Sequence, residues 1–346
     1  MNFTAMKKNG IIFRIKEKEV VPMEKRIALF DIAKGILITL VVLGHAIGWV
    51  VECGAGNGVT YLEKIINVFH MPAFFVITGV LFNETKWKNK PMKEFVLTRL
   101  KTLIVPYLFF ELYDSFLQVI IYKIGVDGFL NCLKNMLAVR CNIGADWFLI
   151  ALFMGEFLYV ISVKYTCKKV RWIIALIGMG ANVIFKQSHL LTIIGRGLIA
   201  YSFILFGNEM NNKFKQKDNY KWRYIIVSLI VVIMIALLNG NISVVSCDIN
   251  NPALFLIGAT SGTYFILGVS NLIRSEFFEF LGKNTLPILG IHQRILFLIP
   301  RYYPFWIPFD NLVLCTSIFV CIVFFIEMPV IIFMNKCLPF VIGKSK

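Results

Sequence analysis

Lys34 and His45 are the two strongly polar side chains in a stretch that is otherwise almost wholly apolar up to Val51. They stand eleven positions apart. At ~100° per residue that is about three helical turns, so on a helix both face the same way, roughly 16 Å apart along the axis. Asp31, three residues before Lys34, joins that face. An imidazole with a pKa of about 6.5 can take the proton of a hydroxyl as the hydroxyl attacks a carbonyl. A lysine offers a compact positive charge to a phosphate. The stripe therefore reads as a general base, His45, aligned with an anion-binding end built from Lys34, Asp31 and the nearby Arg26. The bland alternatives are a histidine bonded to a neighbouring helix, a lysine reaching for the interface, and an aspartate that only pairs with Arg26 or Lys34.

Other ionisable groups in apolar runs are functional candidates by cost alone. His70 opens an apolar segment and could orient an acceptor. His292 and Arg294 sit on a short segment that starts with Pro287. Glu327 precedes Pro329 in the last segment. Glu111 and Asp114, three apart, could neutralise Arg196 or Lys34 without touching substrate. Arg99 and Lys101 could bind phosphates, although a cytoplasmic excess of basic residues explains them equally well. Trp147 is either a sugar platform or a belt aromatic. The eight cysteines form no CxxC pair and no Cys/His spacing typical of zinc, so no metal is expected. A disulfide among Cys53, Cys132, Cys141 and Cys247 is left open.

These residues need a membrane to hold them. Of 346 residues, 58% are apolar and 16% charged, against ~45–50% and ~25% in soluble domains. Ten apolar segments are long enough to read as helical spans, near 29–51, 68–83, 102–122, 146–163, 171–187, 190–209, 223–240, 252–273, 285–300 and 311–334. The short second and ninth contain Pro72 and Pro287, which imply kinked or broken helices. The basic residues test the map. Most fall in 1–26, 84–101, 164–171, 211–223, 274–284 and 335–346, whereas the alternate stretches hold only Lys64, Lys123, Lys134, Arg140, Lys186 and Arg301. That asymmetry expects both termini in the cytoplasm and assigns the net charge of +16 to topology instead of nucleic acid. The expected fold is an all-α polytopic membrane protein of about ten spans, with residues 24–340 as one membrane domain between a basic tail (1–23) and a short cytoplasmic end (341–346). Met23 is a candidate true start.

Lys34, ten residues, then His45 resembles the Arg/Lys-x10-His signature of the membrane acyltransferase 3 family, the O-acyltransferases of bacterial surface glycans. Phe30, Asp31, Gly35 and Gly44 around it look like that family's first helix. Pro72, Phe74, Phe75, Thr78 and Gly79 resemble its Pro-x-Phe-Phe-x-x-Ser-Gly stretch, with Thr78 for Ser. Arg99 to Tyr107 looks like the basic run entering its third helix. Trp147 to Leu152 resembles its Trp-Phe-Leu-x-Ala-Leu block, and Gly282 to Leu286 its Gly-Lys-x-Ser-Leu turn. The order and spacing cover about residues 24–340. One departure is Leu289-Gly290-Ile291-His292, where a Tyr-Leu-x-His stretch is usual.

The resemblance implies transfer of an acyl group, most often acetyl, from acyl-CoA to a hydroxyl of a cell-surface or lipid-linked glycan in a bacterial cytoplasmic membrane. No cofactor would be bound permanently, and acetyl-CoA would be the donor substrate. His45 and Asp31 become the catalytic candidates. Lys34, Arg26, Arg99 and Lys101 would bind the donor, while His70, Trp147, Arg294, His292 and Glu327 would bind substrate. No extracytoplasmic hydrolase-like domain is expected after the last segment, so the chain either acylates its acceptor directly or hands over to a separate transfer protein. The competing readings are a transporter or flippase, which would not need the Lys34–His45 stripe, and a scaffold subunit in which His45 is idle.

Overall fold

In hydrocarbon every backbone N–H must bond within its own segment, so long apolar runs become helices. The computed structural model describes residues 5–8, 11–14, 27–52, 60–141, 144–302 and 311–344. A two-stranded antiparallel hairpin, β1 (Ala5–Lys8) and β2 (Ile11–Arg14), lies in the N-terminal tail. Sixteen α-helices follow among the described residues. They are α1 (Ala28–Glu52), α2 (Thr60–Leu81), α3 (Glu84–Asn89), α4 (Met92–Arg99), α5 (Val105–Tyr122), α6 (Gly125–Leu137), α7 (Trp147–Tyr165), α8 (Lys168–Gly180), α9 (Asn182–Phe185), α10 (His189–Glu209), α11 (Asn211–Lys215), α12 (Trp222–Leu238), α13 (Pro252–Leu272), α14 (Glu276–Lys283), α15 (Thr285–Tyr302) and α16 (Leu312–Cys337). Arg26, Cys53 and the 23/24 boundary fall outside the described residues.

Seven helices are long and apolar enough to cross a membrane: α1, α2, the continuous α4–α5 unit, α7, α10, α13 and α16. Two shorter ones, α12 and α15, are also apolar. The expected span at 171–187 is instead α8, of 13 residues, followed by the single turn α9. Thirteen residues rise only about 20 Å, short of a ~30 Å hydrocarbon core. The second segment is longer than its apolar run suggested. It begins at Thr60 and runs through Pro72 without a break. Between α4 and α5 a π-turn spans Leu100–Ile104, with the Val105 N–H bonded to the Leu100 carbonyl. Pro106 explains it: its ring has no N–H to give the carbonyl four residues back, so the ladder shifts by one residue.

The core is a single apolar cluster to which nearly every span contributes. α1 lies at its centre, packing on α2, α13, α14, α15 and α16. Its approach to α14 is set by glycine. A Cβ on Gly35 would lie 1.9 Å from the Phe278 carbonyl oxygen, and one on Gly282 would lie 1.7 Å from that of Asp31. The chain end also turns inward. Val341 and Ile342 are buried, and Gly343, at φ +70°, lets Lys344 reach Asn284 Oδ1 at 2.9 Å.

Candidate active site

One face of α1 lines three cavities in succession. Lys34 borders the first, Ile38 the second, Val41 the second and third, and His45 the third. The intervals of four, three and four residues are those of one helical stripe. α15 supplies the facing wall with the same rhythm: Leu286 borders the first two cavities, Leu289 the last two, and Gln293 reaches His45 itself.

The Lys34-end cavity has a volume of about 460 Å³. Lys34 is tied to Asp31 by an ion pair at 2.7 Å, and Asp31 is buried. Lys215, Lys283 and Lys344 also border this cavity, each from a different part of the chain. Lys283 pairs with Glu279 one turn back, and Lys344 is held by the amide oxygens of Asn284 and Asn335. The middle cavity, of about 210 Å³, is apolar, with Met71, Phe74, Phe148 and Leu152 among its walls and only Thr102 and Thr285 as polar neighbours. The structure thus sets an apolar waist between two polar chambers along the stripe, because α1, α2 and α7 turn only apolar side chains to it at that depth.

The His45-end cavity, of about 430 Å³, is bordered by His45, Asn67, His70, Trp147, Asn241 and Ser243. The His70 Nδ1 lies 2.8 Å from the Ile66 carbonyl of its own helix. A carbonyl can only accept, so this nitrogen carries the proton and the bare Nε2 is left for other partners. His292 is fixed the same way by the Ile288 carbonyl at 2.8 Å, fully buried, with its ring 5.3 Å from that of His45. Gln293 Nε2 lies 3.0 Å from Nδ1 and 3.1 Å from Nε2 of His45, while its Oε1 receives the Ala145 N–H at 3.0 Å. The Arg196 guanidinium covers the Trp147 ring at 5.5 Å and donates to the Val245 carbonyl at 2.6 Å. It thereby links α10 to the loop that carries Asn241 and Ser243.

A second layer lies behind Gln293. Arg294 is ion-paired with the fully buried Asp114, so Asp114 serves Arg294 and neither Arg196 nor Lys34. Arg294 and Gln293 border a separate cavity of about 540 Å³ together with Trp49, Tyr122 and Phe297. Asp146, next to Ala145, is fully buried and has no hydrogen-bond partner among the described residues. Burial, reinforced by the Glu111 and Asp114 carboxylates, raises its pKa well above the usual carboxylate range.

The structure thus brings together Asp31 with Lys34 at one end, and His45, His70, His292 and Trp147 at the other. Arg99 stands apart, bound to buried Glu156 at 2.7 Å, and Lys101 is exposed on the π-turn. Glu327 is buried in α16, and neither carboxyl oxygen has a hydrogen-bond partner among the described residues. Gln293, Lys215 and Lys344 were not singled out from sequence. Gln293 had one signal: it completes a polar triplet, His292-Gln293-Arg294, inside an apolar helix. The lysines had none, since basic residues are common in such connections. Cys132, Cys141 and Cys247 form no disulfide among the described residues.

Residues 27–328 match the family described as an acyltransferase domain. The chain belongs to that family. The nodulation protein NolL of Mesorhizobium japonicum is 27% identical over 210 residues, covering 57% of this chain and 52% of NolL. NolL of Sinorhizobium fredii is 28% identical over 199 residues, covering 56% and 51%. The chain therefore spans about half the length of the curated relatives it matches. No solved structure matches it. Family and helices together make this acyltransferase-family chain a multi-pass membrane protein.

Proposed function

We propose that the chain is an O-acyltransferase that moves an acyl group, acetyl in the first instance, from acyl-CoA to a hydroxyl of a cell-surface or lipid-linked glycan. The observation that carries this reading is the run of three cavities along one face of α1, from Lys34 to His45. A donor with an anionic head, a long thin arm and a thioester tip matches that run in order. The lysine-bordered chamber suits nucleotide phosphates, with Asp31 holding Lys34 in place. The apolar waist suits the arm, and the roughly 16 Å rise from Lys34 to His45 is comparable to an extended pantetheine.

At the far end the acceptor hydroxyl gives its proton to His45 as its oxygen attacks the thioester carbon. The C–S bond then breaks, and the departing thiolate recovers the proton from the imidazolium. His70, Trp147, Asn241 and Ser243 border the chamber where the acceptor would sit. His292 supports His45 from behind. Arg294, held by Asp114, supports the wall that carries Gln293. The proposed setting is a bacterial cytoplasmic membrane, with ten crossings of which the broken α8–α9 pair makes one, both termini in the cytoplasm and the Lys34 end on the cytoplasmic side, where acyl-CoA is made. No permanent cofactor is needed, and a separate extracytoplasmic transfer protein is a candidate to complete delivery of the acyl group to the glycan.

Mass spectrometry of surface glycans with and without the gene tests the proposal. Loss of ester-linked acyl mass from one glycan supports it. An unchanged profile, with a small solute or glycan instead retained on one side of the membrane, would move the chain to the transporters.

A further inference from the structure

The stripe along α1 does not end at His45. Four residues on, Trp49 borders the cavity of about 540 Å³, a volume within the ~300–1,000 Å³ of small-molecule sites. α15 keeps the same step, with Phe297 four residues after Gln293, and α5 adds Gln118 and Tyr122, also four apart and so on one face. On α1 this cavity lies one turn, about 6 Å, beyond the proposed base and away from Lys34. The wall between it and the His45 chamber is thin. Gln293 borders this cavity and reaches His45. Gly144 borders it too, while the next residue, Ala145, borders the His45 chamber. A Cβ on Gly144 would stand 3.2 Å from Gln293 Oε1, so a side chain there would crowd that wall. The transfer steps above leave this cavity unused.

Its lining combines rings with polar groups. Trp49 and Tyr122 each meet Phe297 edge-to-face, with centroids 4.8 Å and 5.6 Å apart. Gln118, Gln293 and Arg294 supply two amides and a guanidinium. Arg294 is paired with Asp114, to which Gln118 Nε2 also donates at 2.7 Å, so the charge of this wall is balanced. The Tyr122 hydroxyl has no hydrogen-bond partner among the described residues. A pyranose matches such a lining. Its C–H groups pack on aromatic rings, whose faces are negative, and its hydroxyls both donate and accept. A lipid tail would leave the polar groups unpaired, and a phosphate would find Arg294 already neutralised. We propose that this cavity is a saccharide subsite that holds the sugar unit next to the one acylated, so that the acceptor is a glycan of at least two units. This rests on the acyltransferase reading above. The donor then occupies the stripe up to His45 and the acceptor the turn beyond it. Binding energy from the unit that does not react positions the unit that does.

The probe is the surface glycan of a strain lacking the gene, cut by partial acid hydrolysis and sorted by length, with and without its lipid. The purified full chain in lipid nanodiscs is given labelled acetyl-CoA and one fraction at a time, and transfer is read by mass spectrometry. Lipid-free fragments of two or more units are expected to show a KM about 10-fold below that of single units, and Trp49→Ala to remove most of that difference, as truncation of one well-packed aromatic contact would. Trp49→Phe keeps a ring and should keep the preference. Gln118→Leu changes one polar wall residue and should narrow it, which keeps the test open if Trp49→Ala does not fold. Calorimetry on the His45→Ala chain reads binding of the same fragments apart from chemistry. Single units transferred as well as longer ones, or a length preference unmoved in Gln118→Leu and in any folded Trp49→Ala, overturns the subsite. Binding only of fragments that carry lipid makes the cavity a lipid groove and overturns it as well. Length-dependent binding that the variants weaken supports the saccharide site even where no acyl group moves, and places that failure in the acyltransferase reading.

Discussion

At the Lys34 end of α1 polar groups are held by charge: Asp31 against Lys34, Glu279 against Lys283, and lysines from four parts of the chain around one mouth. At the His45 end the groups nearest the imidazole are held by neutral hydrogen bonds, His70 and His292 on backbone carbonyls and Gln293 on the Ala145 N–H, while the charged groups stand further off, Glu63 and Lys64 on the chamber wall and the Arg294–Asp114 pair behind it. The two ends belong to one helix face and are separated by an apolar waist. Charge attracts an anion without fixing its pose and weakens with salt. Neutral bonds in a buried pocket do little for affinity but fix geometry. The comparison assigns capture of the donor to one end and chemistry to the other, and each end can be broken separately.

The largest effect should come from the chemical end. His45→Ala is expected to lower acyl transfer about 10²–10⁴-fold, the range for loss of a general base, while acetyl-CoA still binds, as titration calorimetry would show. Transfer that survives the change would remove His45 from the mechanism. Next is the packing that sets both ends in register. Gly282→Ala puts a Cβ 1.7 Å from the Asp31 carbonyl oxygen and must separate α14 from α1. Overpacking of this kind costs about 1–3 kcal/mol, so a lower Tm in detergent is expected, together with weaker binding of acetyl-CoA. An unchanged Tm would mean that the α1–α14 crossing is softer than its geometry implies.

At the charged end, Lys34→Ala should raise the KM for acetyl-CoA about 10-fold with little change in kcat, as one lost charge-assisted contact would, and added salt should narrow the difference. A fall in kcat alone would assign Lys34 to the chemistry. The smallest effect concerns Asp146. Its pKa is raised in the folded chain above an unfolded value of about 3.9. The folded state then binds more protons between those two values, so stability is greatest below the unfolded pKa and falls as pH rises through the folded one. Asp146→Asn should raise Tm by a few degrees at pH 8 and by less at pH 4. An equal shift at both would show that folding leaves the carboxyl's proton affinity unchanged.

The α1 stripe was legible from sequence because helical periodicity is local: Asp31, Lys34 and His45 needed only the spacing of one segment. His70 and Trp147 were legible as polar or amphipathic residues at the ends of apolar runs, and both border the His45 chamber. Partnerships were not legible, because they come from packing between distant segments. Arg99 reads as a phosphate ligand until Glu156 is found beside it, and Asp114 reads as a partner for Lys34 until Arg294 claims it. The apolar waist was hidden too, because the residues around it belong to four helices and the π-turn, and each looks like ordinary core. The segment at 171–187 is broken where a continuous helix was expected, for a related reason. Its hydropathy suits a membrane, yet the chain breaks at Gly180–Ala181 into α8 and α9.

The account as a whole claims that the donor enters from the Lys34 side and reacts at the His45 side. Sealed vesicles of known orientation, carrying the bacterial glycans and given radiolabelled acetyl-CoA on one face only, test this directly. Label should reach glycan only when acetyl-CoA is on the Lys34 face, and not at all in His45→Ala. Equal labelling from both faces, or labelling that persists in His45→Ala, would contradict it.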